Sequence, residues 1–270
     1  MVPDKRRLKI ALSTIHKDKM DYFSSGQFVD LMSHVHVNIT MGAKLHKLYR
    51  YFYFLYLDIC NLETIILRLA WQKDLWIRNQ LDETLWIQFG AGDIDLFHVE
   101  FRSIFDYLAK IIGMISDSPG QVPHSFEKLK NWTAKSHTNT QRLGEDLSRA
   151  VLSCEWFDDL KTVRDSIIHR GGFTLVFPVK GGILFQVHEE VSRKILIPEI
   201  MFNENVADFE LYAGLYTGYL IAYLEEVSVL IYKHLNLKKV GSNAKSYHQG
   251  LQILSDWIKR VLNHDIKNTT

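Results

Sequence analysis

From Leu45 onward, apolar residues recur at the three-four spacing of a helix stripe: Leu45, Leu48, Phe52, Leu55, Ile59, Leu62, Ile66, Leu69 and Leu75. That spacing predicts one long helix, or two abutting ones, over roughly 41–89. Across 49–57 the pattern is apolar nearly all round, which points to the middle of a bundle or to a subunit interface. Gly90 and Gly92 are expected to end this helix, with Asp93 or Asp95 capping the next. The second stripe, Ile94, Phe97, Phe101, Ile104, Phe105, Leu108, Ile111 and Ile112, runs to about Ser116. Residues 1–24 show no sustained period and read as a short strand or arm, and Ser24-Ser25 precede a helical pattern.

Downstream, SDSPGQVP at 116–123 is a loop with two prolines. A short helix near 124–134, a polar connection KSHTNTQ and one helix over 144–169 follow, the last stopped by Gly171-Gly172. Two β-branched and aromatic runs, 173–179 and 183–187, flank Lys180-Gly181-Gly182 and predict a hairpin. Another long helix starts at Asn203 or Asn205 and extends to about 234, and a last covers 246–264. No period of 20 to 50 residues repeats, which argues against a solenoid. The predicted class is mostly α: a helical bundle with long helices and one small β-hairpin insertion at about 173–187. Residues 1–90 form an N-terminal arm and long helix, either extending the bundle or standing apart from it. The bundle proper is expected over 91–270.

Composition narrows the function classes. The 270 residues carry 32 Lys plus Arg against 31 Asp plus Glu, a net charge of +1, which argues against a general nucleic-acid coat. Local basic clusters remain at Lys5-Arg6-Arg7-Lys9, Lys17-Lys19 and Lys238-Lys239. Two cysteines, Cys60 and Cys154, cannot make a disulfide framework. No apolar signal core follows the basic N-terminus, and Arg50, Asp58, Glu63 and Arg68 interrupt the most apolar stretch. A cytoplasmic protein without membrane contact is therefore expected. The common dinucleotide, ATP, metalloprotease and serine-hydrolase signatures are absent. His34 and His36 lie two apart without cysteine partners, so neither a metal site nor a cofactor is expected. Trp71, Trp76 and Trp86 read as core or interface filling; the alternative is stacking on single-stranded bases.

The sharpest local signal is Lys161, Thr162, Val163, Arg164, Asp165, Ser166, Ile167, Ile168, His169, Arg170, then two glycines. Arg164 and His169, five apart, lie about 140° from each other on a helix wheel. Two routes bring them together: the length of the Arg side chain with a backbone that leaves helix geometry near the glycines, or a two-fold axis that joins two copies. A guanidinium beside an imidazole suits phosphodiester cleavage: the fork binds two phosphate oxygens and the imidazole moves a proton near neutrality. The plainer alternative is that His169 and Arg170 are cationic decoration of a helix C-terminus.

The segment R-D-x-x-x-H, closing a long helix of an all-α chain, resembles the signature of HEPN (higher eukaryotes and prokaryotes nucleotide-binding) domains. The resemblance extends over about 93–235, and 98–112, HVEFRSIFDYLAKII, is similar to an early helix of bacterial HEPN-like proteins. It implies bundles paired face to face as a homodimer and a metal-independent endoribonuclease acting on RNA. The setting it implies is a toxin or antiviral defence effector with an antitoxin or other regulatory partner. The residues it implicates are Arg164, Asp165 and His169. Within 98–112, Glu100, Arg102 and Asp106 are expected to support them, Arg102 and Asp106 pairing at four-residue spacing and Glu100 facing the cleft. The alternative for these three is an ordinary surface ion pair, and for the whole chain a non-catalytic nucleotide-, RNA- or protein-binding module.

Overall fold

One helix, buried on every side over its first turns, organises the core. In the computed structural model, which describes residues 4–15, 27–38, 43–169, 174–179, 181–187, 200–235 and 250–263, every residue of 209–224 is buried. These residues belong to a helix spanning Phe209–Leu235, here α9. Around it, in chain order, lie α1 (Lys5–Thr14), α2 (Gln27–Val37), α3 (Ala43–Ile77) and α4 (Glu83–Ile115). Next come α5 (Phe126–Lys135), α6 (His137–Leu143), α7 (Glu145–Leu152) and α8 (Trp156–His169), and α10 (Gly250–Asn263) closes the described chain. The mostly-α class is as expected from the sequence.

The central helix thus lies late in the chain, not at 49–57. Tyr53 and Leu57 on α3 are exposed, although α3 packs against α2, α4 and α10. A stripe of four tyrosines, Tyr212, Tyr216, Tyr219 and Tyr223, runs along α9 at helical spacing and meets Trp156, Phe105 and Phe126. On the opposite side α10 approaches so closely that a Cβ on Gly214 would stand 2.8 Å from the backbone carbon of Trp257. Glu210, buried in this helix, is neutralised by Lys73 and Arg260.

Several helix boundaries differ from expectation. The break between the two long helices falls at 78–82, where Asn79 takes a left-handed backbone and Asp82 caps Thr84 and Leu85. Gly90 and Gly92 therefore lie inside α4, which runs unbroken across residue 90; packing along α3 outweighs the weak helix propensity of glycine. Residues 5–14 are a helix rather than a strand or arm, capped by Asp4 and packed on α9. The polar run at 137–143 is also helical, capped by Ser136. The single helix expected over 144–169 is two, separated at 153–155. Expectations for Ser24-Ser25, Arg170 and Gly171-Gly172 fall outside the described residues.

The hairpin forms as expected: β1 (Val176–Val179) pairs antiparallel with β2 (Gly182–Gln186), Val176 opposite Phe185. It is part of a larger unit. β3 (Met201–Asn203) and β4 (Val206–Asp208) extend it to a four-stranded sheet in the order β1-β2-β4-β3. Asp208 then caps α9 by accepting the Leu211 amide at 3.0 Å, so that helix starts later than Asn203 or Asn205. Phe185 on β2 fills the space between His98, Phe209 and Tyr212. The sheet therefore covers α4 and α9.

Candidate functional site

An aromatic triad fixes the relative positions of α4, α5 and α8. The rings of Phe105, Phe126 and Phe157 meet at 4.7 to 4.9 Å. Above this cluster a polar network runs across the surface from α4 to α8. Arg102 Nε lies 3.4 Å from Asp106 Oδ2, so the pair expected at four-residue spacing is present. Its Nη2 donates to Ser125 Oγ at 3.1 Å and reaches Glu127 Oε2 at 3.5 Å, and its guanidinium lies 5.8 Å above the Phe157 ring. Asp106 Oδ1 accepts the Phe126 amide at 3.0 Å, supplying a cap to α5 from another helix.

Glu127 carries the network onward. Its Oε1 is 2.6 Å from Lys161 Nζ, and this bond, with the nearby Arg102 charge, holds its carboxyl below the ordinary range. Lys161 also lies 3.9 Å from Asp165 Oδ2, one turn along α8. Asp165 Oδ1 in turn accepts from Arg164 Nη1 at 2.9 Å. Arg102, Lys161 and Arg164 are thus interleaved with Asp106, Glu127 and Asp165, and the network is charge-balanced. Arg164 is partly buried, its Nε has no hydrogen-bond partner among the described residues, and its charge acts on buried His98 beneath.

His98 is a structural group. Nδ1–H donates to the Ile94 carbonyl at 2.7 Å, which leaves Nε2 to accept from the Tyr212 hydroxyl at 3.0 Å. Burial foremost, and the Arg164 charge as a lesser cause, lower its pKa to about 4.

Of the residues expected from the sequence, the structure joins Arg164, Asp165, Arg102 and Asp106 through Glu127 and Lys161. Glu100 is elsewhere, a correction with a geometric reason. Two residues from Arg102, it projects about 200° away around α4. It faces α3, where it hydrogen-bonds Asp58 and Asn61; burial pushes both carboxyls of the Asp58–Glu100 pair up. The side chain of His169 lies outside the described residues, but α8 keeps helical backbone through that position. The backbone therefore does not unwind between Arg164 and His169. Sequence reasoning passed over Glu127, which only tertiary packing brings to α8, and Lys161, whose four-residue spacing to Asp165 was readable.

No group of three or more potential metal ligands occurs among the described residues, and none of their helices is long and apolar enough to cross a membrane. No family model matches the chain, and no curated protein or solved structure matches it.

Proposed function

We propose that the chain is a metal-independent endoribonuclease of HEPN type, working as a homodimer. The observation that carries this reading is Arg164: a partly exposed guanidinium near the end of α8, steered by Asp165, with its buried Nε left without a partner among the described residues. In the proposed reaction Arg164 grips the non-bridging phosphate oxygens and offsets the charge that develops on them. His169 takes the proton of the ribose 2′-hydroxyl. A bond forms from O2′ to phosphorus as the P–O5′ bond breaks, and O5′ acquires a proton. The products are a 2′,3′-cyclic phosphate and a 5′-hydroxyl end. The substrate supplies its own nucleophile, so the scheme calls for no metal ion or cofactor.

The geometry of α8 supports the homodimer. With Arg164 and His169 about 140° apart on one helix, a single active centre draws them from two copies across a two-fold axis. By resemblance, the setting is a cytoplasmic toxin or antiviral effector held in check by an antitoxin or other regulator. The test is cleavage of RNA in chelator by the purified chain and by Arg164→Ala. The variant is expected to be slower by about 10²–10³-fold, the loss typical of removing a transition-state clamp. Equal rates overturn the proposal.

A second reading has an observation in its favour: each basic group of the network already meets a carboxylate, as in a framework that fixes helices. On that reading the chain is a non-catalytic RNA-, nucleotide- or protein-binding module. Toxicity of the expressed wild type, relieved by Arg164→Ala, favours the nuclease; equal tolerance favours the module.

A further inference from the structure

Away from this network, a cleft of about 500 Å³ opens between the later turns of α3 and the first turns of α4. Its rim carries Trp71 and Phe89, 57% and 48% exposed, although aromatic residues usually bury their rings. Its floor is polar. Arg68 is fixed to Asp93 through Nε at 2.8 Å and through Nη2, and Gln72 Nε2 donates to the same carboxylate at 3.2 Å. Asp93 and Gln72 are buried, and Gln72 Oε1 has no hydrogen-bond partner. Arg68 keeps Nη1 uncommitted among the described residues.

Gly92 lines the same cleft from the interior of α4, where glycine weakens a helix. A Cβ there would meet nothing within 4 Å, so packing does not require glycine at this position. The position opens onto the cleft, where a long side chain would reach into it.

We propose that this cleft binds a single unpaired nucleobase. An apolar ligand would strip water from the exposed Arg68 guanidinium without replacing its hydrogen bonds. An anionic ligand would meet the Asp93 carboxylate. A flat neutral ring with hydrogen-bonding atoms along its edge satisfies both conditions: its faces stack on Trp71 or Phe89, and an acceptor on its edge meets Arg68 Nη1. The inference goes beyond the cleavage reading and does not depend on it.

The test is calorimetric titration of the full chain with the four ribonucleosides, which carry no phosphodiester to cleave. Saturable binding is expected, weakened about tenfold or more in Trp71→Ala, as removal of a base-stacking partner predicts. Gly92→Leu, which fills the cleft with a better helix former, is expected to lose binding while keeping or raising the melting temperature. Arg164→Ala is expected to bind as wild type does, so a failure of nucleoside binding and a failure of RNA cleavage are separately visible. Absence of saturable binding, or unchanged binding in Gly92→Leu, overturns the proposal. So does a Gly92→Leu chain that loses self-association in sedimentation yet still binds nucleosides, which would make the cleft a contact between copies.

Discussion

Asp165 accepts a 2.9 Å hydrogen bond from Nη1 of Arg164, the residue directly before it, and lies 3.9 Å from Lys161 one turn earlier. Neighbours in sequence rarely share a helix face, so this bond exists because the long arginine bends back toward the carboxylate. It fixes Asp165 as the group that aims the guanidinium. Asp165→Asn is expected to lower RNA cleavage roughly tenfold, as a charge-assisted bond becomes a neutral one, with folding unchanged. Cleavage rates measured beside circular dichroism check this; a variant as fast as wild type removes Asp165 from the site.

Glu100 is expected to behave differently from Arg102, despite lying two residues away. Arg102→Ala removes the bridge among Asp106, Ser125 and Glu127, and is expected to slow cleavage by disturbing the placement of α8. Glu100→Gln changes a carboxyl that faces Asp58 on α3, and is expected to leave the cleavage rate at wild-type level. Its effect is on stability. Burial raises the folded-state pKa of Glu100 above its unfolded value, so its ionisation costs stability as pH rises through the carboxylate range. The amide escapes that cost. Denaturant midpoints of variant and wild type should therefore diverge in the variant's favour with rising pH.

His98 gives the opposite sign. Its folded pKa, about 4, is depressed below the ordinary value of 6.5, so between these limits the unfolded chain binds the extra proton. Stability from this group is full above pH 6.5 and falls as the solution is acidified toward pH 4, by up to about 3 kcal/mol. Asp159, raised to about 6 chiefly by burial, works against it between pH 3.8 and 6. Comparing wild type with His98→Leu isolates the histidine: the variant is expected to be the less stable at pH 7, with the gap closing at pH 5. A gap independent of pH contradicts a neutral buried imidazole.

The close crossing of α9 and α10 yields a fourth expectation. A Cβ at Gly214 meets the Trp257 backbone at 2.8 Å, and backbone cannot rotate away as a side chain can. Gly214→Ala is expected to cost about 1–3 kcal/mol despite the better helix propensity of alanine. Thermal unfolding checks it; a melting temperature equal to or above wild type would mean that the crossing is looser.

How much of this was readable beforehand depended on which residues carried the signal. The α4 stripe from Ile94 to Ile112, the β1–β2 hairpin and the Arg102–Asp106 pair follow from local periodicity and turn chemistry, and all three are present. The role of α9 was hidden because an all-round apolar helix has no period to read, and α3 has a comparable stretch at 49–57. Gly90 and Gly92 misled for the opposite reason: they look like stops, but Asp82 and Asn79 had already set the boundary upstream. At the site, Arg164 and Asp165 were visible as a motif. Glu127, which ties them to Arg102, is 34 residues or more from both Lys161 and Arg164, and the packing of α5 on α8, through the Phe105–Phe126–Phe157 contact and the Lys130–Asp158 pair, brings it there.

The most direct measurement is digestion of total cellular RNA in EDTA by the purified chain and by His169→Ala, with the 3′ ends of the fragments mapped. Wild type is expected to cut and to leave 2′,3′-cyclic phosphates, while the variant leaves the RNA intact. Cleavage that survives in His169→Ala, or RNA left whole by both proteins, contradicts the assignment.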